Sequence, residues 1–299
     1  MSYKAGFIGL VGLPNAGKSS LANMVVGSKF SIVCSKAQTT RRRVMGIYND
    51  DECQFVITDA PGVVGTTSGL NTFLQEEYRD VMDKSDVLLA CLNLDANNPE
   101  TLTSICEAVK AQNKPWAIAI TKVDLPKIHR ISILRELFSG YGVPVVGVST
   151  ETDIKSHTEV LIDLFKTLLP EATAPMYPTD SYTTESVRDL SAELVREKCF
   201  KYLHDEIPYG LATQVRKFEE GAALQKIFVD IVVERDSHKS MVIGRNGEHL
   251  KRIGMEARKD IEQVTGTKVY LELHVAVKDK WTRNPMQLKD FGYVVRKQN

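Results

Sequence analysis

Gly12-Leu-Pro-Asn-Ala-Gly-Lys-Ser19 stands directly after the apolar run Ala5-Gly-Phe-Ile-Gly-Leu-Val11 and directly before Ser20-Leu-Ala-Asn-Met-Val-Val26. The spacing G-x-x-x-x-G-K-[ST] between a strand and a helix suits a phosphate: glycines let consecutive backbone N–H groups curl around phosphate oxygens, Lys18 reaches the outer phosphates and Ser19 offers a hydroxyl to Mg2+. Gly12, Leu13, Pro14, Asn15, Ala16, Gly17, Lys18, Ser19 and Ser20 are therefore candidate nucleotide contacts. The helix predicted over 20–26 turns its positive end toward the anion.

Downstream, β-like runs at 55–58, 87–92, 116–120 and 143–148 alternate with helical patterns over 69–84, 100–112, 131–140 and 156–169. This alternation predicts an α/β domain with a mostly parallel sheet and helices on both sides. Residues 170–180 carry three prolines in eleven positions and read as a linker, which divides the chain into a domain over 1–170, a linker over 171–182 and a second domain over 183–299. In the second, a helix with the stripe Val187, Leu190, Leu194, Val195 and Tyr202 precedes runs at 211–218 and 224–235. A short helix ending at Ile243, the turn Gly244-Arg-Asn-Gly247, a helix over 248–264 and a strand over 268–277 complete an α-β-β-α-α-β order, an α+β pattern.

A length of 299 residues with 43% hydrophobic content suits about two packed domains. Lys+Arg and Asp+Glu number 38 each, so no global attraction to nucleic acid or membrane follows; from Asp236 onward, however, 13 Lys and Arg face 8 Asp and Glu, and this stretch is basic. Five scattered cysteines without a C-x-x-C pair argue against zinc or a disulfide framework and predict reduced thiols in a cytosolic protein. No targeting segment is read at the start, and no apolar run of about 18 residues predicts a membrane span.

Three more motifs follow strands, at the ends where ligands bind in such sheets. Asp59-Ala-Pro-Gly62 follows the run at 55–58, Thr121-Lys-Val-Asp124 the run at 116–120, and Ser149-Thr150 the run at 143–148. Asp59 is placed to hold Mg2+ through water and the Gly62 N–H to touch a γ-phosphate. Asp124 can accept both guanine N1–H and the 2-amino group, donors that adenine lacks. Singly, these are also a Pro-Gly turn and a solvated Lys-Asp turn. A P-loop kinase or ATPase would bind ATP as well as GTP, and a non-catalytic RNA-binding scaffold would leave Lys18 dispensable.

In order and spacing the set resembles the TRAFAC class of GTPases. On that resemblance Gln38-Thr-Thr-Arg41 is the first switch and Thr40 closes on Mg2+ in the GTP state. The metal set is then Ser19, Thr40 and Asp59, the catalytic set Asn15, Lys18, Thr40 and Gly62, and the remaining GTP contacts are Ala60, Pro61, Val63, Thr121, Lys122, Asp124, Ser149 and Thr150. Thr121 stands where Asn is usual, removing an amide that braces the site, and Thr150 replaces Ala. Val63 occupies the place where Ras-like enzymes carry the water-positioning Gln. Relatives with an apolar residue there and Asn in the phosphate loop, here Asn15, use K+, which implies slow hydrolysis stimulated by K+ over Na+.

The G-x-x-G turn inside the α-β-β-α-α-β order resembles a type II KH domain. Gly244 and Gly247 would let a sugar-phosphate backbone approach, Arg245, Asn246, Lys251 and Arg252 would meet it, and Ile243 would line the base groove. A P-loop GTPase domain bearing Q-T-T-R, followed by one such domain, resembles the Era family across essentially the whole chain; Ala37 departs from the Pro usual before Q-T-T-R. The resemblance implies a monomer that binds GTP and GDP, binds 16S ribosomal RNA near its 3′ end, and assists 30S subunit assembly in bacteria. It further implies a cytoplasmic location with peripheral contact to the inner membrane.

Overall fold

The apolar runs of the first half become strands of one six-stranded sheet: β1 (Lys4–Gly12), β2 (Val44–Asn49), β3 (Cys53–Asp59), β4 (Val87–Asn93), β5 (Trp116–Thr121) and β6 (Val145–Val148), in the order β2-β3-β1-β4-β5-β6. The computed structural model describes residues 2–293 apart from Ser35, Ala37, residues 63–69, Asn97, Ala222 and the side chain of Ile128. Between the strands lie α1 (Lys18–Val26), α2 (Leu70–Lys84), α3 (Pro99–Lys110), α4 (Ile128–Ser139) and α5 (Ile154–Leu168). All neighbouring strands are parallel except β2, which runs antiparallel to β3 from Val44 opposite Asp59 to Asn49 opposite Gln54.

Alternation along β1 divides the core into two layers. Ile8 and Leu10 pack on one face with Leu21, Phe55 and Phe165, while Val11 packs on the other with Leu88, Leu102 and Phe138. All nine are essentially inaccessible, and each large side chain so buried contributes about 1.5–3 kcal/mol. The sheet is thereby fixed with the C-terminal ends of β1, β3, β5 and β6 at one edge, which is where the four motifs emerge.

β2 is the element that the sequence reading does not include. Its outer edge is covered by chain from the proline-rich stretch: the Ile47 N–H donates to Tyr182 O at 2.8 Å and the Thr183 hydroxyl donates to Met45 O at 2.6 Å. The Gln54 amide clasps the same stretch, donating to Tyr177 O at 2.8 Å and accepting from the N–H groups of Met176 and Tyr177 at 2.7 and 2.8 Å. An exposed strand edge templates unwanted pairing, and this segment blocks it.

The chain divides into two compact units, Met1–Ser31 with Thr40–Val64 and Leu74–Thr184, and Ile32–Thr39 with Gly65–Phe73 and Glu185–Asn299. The second unit is built on α6 (Val187–Tyr202) and a sheet of β7 (Ala212–Glu219), β8 (Leu224–Val233) and β9 (Lys268–Val277), in that order. β7 and β8 are antiparallel, and β8 and β9 parallel. The parallel pair needs a crossover, supplied by α7 (Asp236–Ile243) and α8 (Glu248–Thr265). The core joins Leu190, Leu194 and Val195 of α6 to Ile227, Val229 and Ile231 of β8 and Ile253, Ala257 and Ile261 of α8. Ser186 caps α6, its hydroxyl accepting from the Asp189 N–H at 3.1 Å. A last helix, α9 (Pro285–Asp290), also lies beyond the sequence reading. Near it Trp281 is fully buried, donating through Nε1 to Gly210 O at 2.9 Å and stacking against Tyr293.

Candidate functional site

Gly17 begins α1 in a left-handed conformation (φ 81°), and Asn15 is left-handed too (φ 62°), so the loop between β1 and α1 turns tightly. Lys18 is 6% exposed and donates to Gly12 O at 3.1 Å and Leu13 O at 2.8 Å, within its own loop. Burial lowers its pKa, against the opposing pull of Asp59. A cation held this way is stored beside the space that the loop surrounds, partly desolvated and ready to exchange carbonyls for stronger anionic acceptors.

Asp59, at the end of β3, is completely buried. Its Oδ2 accepts from three hydroxyls, Ser19 at 2.5 Å, Ser31 at 2.6 Å and Thr40 at 3.2 Å, and the Ser19 and Thr40 oxygens lie 3.0 Å apart. Oδ1 is buried and receives no hydrogen bond. Burial pushes the Asp59 pKa up, opposed by Lys18 and the three hydroxyls. A carboxylate with one orphaned oxygen beside two further hydroxyls fits a hard dication completed by phosphate and water. Among the described residues no group of three or more His, Cys, Asp and Glu side chains offers a site independent of such a ligand.

Gly62 lies against the phosphate loop so closely that an added Cβ would sit 2.3 Å from Pro14 N. No side chain fits there, and the Asp59–Gly62 segment is thus brought by close backbone approach to the loop that would hold the phosphates. Val63 lies outside the described residues, as does Ala37.

On the base side, Thr121, standing where Asn is usual, supplies a brace of its own: its hydroxyl donates to Ala16 O at 2.8 Å, tying β5 to the phosphate loop. Lys122 is left-handed (φ 62°). The Ser149 hydroxyl donates to Asp124 Oδ1 at 2.7 Å and accepts from the N–H groups of Glu151 and Thr152 at 3.0 and 3.1 Å, which fixes the carboxylate. A cleft lined by Gly17, Ser20, Thr121, Lys122, Asp124, Val148, Thr150 and Glu151 opens between these groups. It joins Asp124 to the phosphate loop, so one ligand with a purine and phosphates can span both.

Three site residues, Val148, Glu151 and Ser31, lie outside the predicted set, and Val148 is the last residue of β6. Glu151 follows Ser149-Thr150 directly and was legible as a continuation of that motif. Ser31 lies in an aperiodic stretch that carries no signal.

In the second unit the turn between α7 and α8 is left-handed at Gly244 (φ 74°), Asn246 (φ 52°) and Gly247 (φ 76°). An added Cβ at Gly244 would stand 2.8 Å from the His249 ring, so this position is closed to side chains on both conformational and steric grounds. Arg245, Asn246 and Lys251 are exposed, and Ile243 and Leu250 are half-buried against the core. Arg252 also serves the packing of this unit, since its guanidinium lies 4.2 Å from the centre of the Tyr202 ring and joins α8 to α6. Both α7 and α8 pack on β9, which pairs only with β8 among the described residues.

Fold and site together define a P-loop GTPase joined to a KH domain. The family model of the 50S ribosome-binding GTPase matches residues 7–122 and that of the KH domain residues 206–282. GTPase Era of Geotalea daltonii is 38% identical, the match covering 97% of this chain and 98% of the relative, and GTPase Era of Neisseria meningitidis is 36% identical over 97% and 95%. The chain belongs to the Era family of GTPases, enzymes that hydrolyse GTP. A crystal structure of an Aquifex aeolicus Era variant bound to GDP and AlF4− superposes with a TM-score of 0.90 at 32% identity, covering 98% of this chain and all of that one. Era in complex with MgGDPNP and nucleotides 1506–1542 of 16S ribosomal RNA gives the same TM-score and coverage at 31% identity.

Proposed function

We propose that this chain is a GTP-driven switch that grips 16S ribosomal RNA near its 3′ end through the Gly244–Gly247 turn and assists assembly of the 30S subunit. The observation that carries this reading is the left-handed turn at Gly244, Asn246 and Gly247 between two helices, a surface a sugar-phosphate backbone can approach, in a chain that also carries a cleft lined by Asp124 and the phosphate loop. Support comes from the relative crystallised with MgGDPNP and nucleotides 1506–1542 of 16S ribosomal RNA. Arg245, Asn246 and Lys251 contact phosphates, and Arg252 does so from its seat on Tyr202.

At the GTP site Asp124 accepts from the guanine edge. Lys18 exchanges the Gly12 and Leu13 carbonyls for β- and γ-phosphate oxygens, and the Gly62 N–H meets the γ-phosphate. Mg2+, when bound, supplies charge neutralisation at the phosphates; Ser19 and Thr40 hold it directly and Asp59 holds it through water. With Val63 unable to orient water, turnover is slow, and Asn15 would hold a K+ ion whose positive charge would aid the reaction. Equal turnover in K+ and Na+ would remove the K+ part of this reading. The protein acts as a monomer in the cytoplasm, with peripheral contact at the inner membrane; among the described residues no helix is long and apolar enough to cross one.

The test is fluorescence anisotropy with an RNA copying nucleotides 1506–1542 of the relative's complex, in a GTP analogue and in GDP. Binding is expected to be tighter with the analogue. Changing Arg245 and Asn246 both to Asp is expected to weaken RNA binding about tenfold or more while leaving GTP turnover intact, because two carboxylates then face phosphate. Unchanged RNA affinity would refute the assignment.

A further inference from the structure

We propose that Ser31 is a positioning residue for the divalent-cation centre, its buried hydroxyl fixing Asp59 so that Oδ1 is the oxygen left to face the cation's shell. The inference rests on the reading that Ser19, Thr40 and Asp59 hold Mg2+. Of the three hydroxyls on Asp59 Oδ2, those of Ser19 and Thr40 belong to the proposed metal set; the Ser31 hydroxyl, 2.6 Å away, is the one with no other role.

Ser31 is only 2% exposed, and its backbone is clamped at both ends by one side chain. Asn23 Oδ1 accepts from the Ser31 N–H at 3.0 Å, and Asn23 Nδ2 donates to Ser31 O at 2.7 Å. The Phe30 N–H reaches the same Oδ1 at 3.0 Å. Asn23 lies one turn beyond Ser19 on α1, so the helix that presents Ser19 also sets where the Ser31 hydroxyl stands. Ser31 thus transfers the position of α1 to Asp59 at the end of β3. With Oδ2 saturated from the protein side, the carboxylate cannot rotate without breaking a buried hydrogen bond, and Oδ1 keeps its direction. Outer partners that orient a ligand in this manner typically govern metal affinity by about 10- to 100-fold.

Release of fluorescently labelled GDP from the full-length protein, followed over free Mg2+ concentrations set with EDTA, tests this. In the parent, rising Mg2+ slows release. In Ser31→Ala the Mg2+ concentration needed for half of that effect is expected to rise about 10- to 100-fold, while release in EDTA alone matches the parent. Ser31→Cys, nearly the same size with a weak donor, is expected to shift in the same direction and carries the test should the alanine variant not fold. An unchanged Mg2+ midpoint overturns the proposal. So does release that is accelerated equally with and without Mg2+, which would make Ser31 a general support of the loop. A parent that ignores Mg2+ would remove the metal reading itself, a result distinct from an unmoved Ser31 variant.

Discussion

Replacing Thr121 with Val keeps the β-branched shape that suits β5 and removes only the hydroxyl that donates to Ala16 O at 2.8 Å. Ala16 is 1% exposed, so its carbonyl would be left buried and unpaired. Such an orphaned acceptor costs about 1–3 kcal/mol. If all of it fell on binding, affinity would drop about 5- to 150-fold, at 1.4 kcal/mol per factor of ten. Part is lost equally in the free protein, where the loop can relax toward water. The bound state, in which the nucleotide orders the loop, suffers the whole loss. A fall in affinity of about five- to tenfold, near the lower end of that range, is therefore expected. Because the bond lies on the base side of the loop, GDP and a non-hydrolysable GTP analogue should be weakened by the same factor. Isothermal titration calorimetry with both nucleotides measures this, and Thr121→Asn, whose amide restores a donor, should recover affinity. Unchanged binding in Thr121→Val, or a loss confined to the GTP analogue, would refute the reasoning.

Gly62→Ala places a Cβ 2.3 Å from Pro14 N and must displace one loop from the other, an overpacking of about 1–3 kcal/mol; single-turnover GTP hydrolysis should fall about tenfold or more, and a normal rate would contradict the close approach. Gly244→Ala meets both the left-handed φ of 74° and the His249 ring at 2.8 Å, so RNA affinity should drop in an anisotropy titration while GDP affinity stays at the parent value. At Asp50, burial pushes the carboxyl up, but this is outweighed by bonds from Lys166, from the N–H groups of Glu52 and Cys53 and from the Tyr48 hydroxyl, which hold it at about 2 against an ordinary 3.8. The folded pKa lies below the unfolded one, so this stabilisation is present above about pH 4 and is lost as pH falls toward 2. After discounting for solvent screening, Asp50→Asn should cost about 1 kcal/mol near neutrality in thermal melts, and the gap should close on acidification; a gap that persists at the acid end would contradict the pairing.

The parts of the site that were legible are those whose chemistry is local. Gly12–Ser19, Asp59–Gly62, Thr121–Asp124 and Gly244–Gly247 each work through backbone conformation and side chains a few residues apart, and their spacing in the chain is their spacing in space. Strand ends announced themselves because β1, β3, β4 and β5 are buried on both faces and read as continuous apolar runs. β2 did not, since it follows the basic Arg41-Arg-Arg43 and contains Gly46, a position where any Cβ would strike the Phe30 ring at 2.3 Å. Its strand state depends on β3 beside it and on Tyr182–Thr184 along its outer edge. The proline-rich stretch likewise reads as a linker, yet as far as Thr184 it is held on the first unit by groups more than a hundred residues earlier, such as Gln54.

By itself, then, the sequence determined that this chain has a phosphate loop, a Thr121–Asp124 motif at the end of a strand and a G-x-x-G turn, because each is encoded within a few consecutive residues. Tertiary structure alone decided that Thr121 braces Ala16, that the Ser31 hydroxyl joins those of Ser19 and Thr40 on Asp59, and that Arg252 is seated on Tyr202. These are pairings between segments far apart in the chain. They exist only once the sheet and helices have set their distances, and no periodicity or spacing along the chain records them.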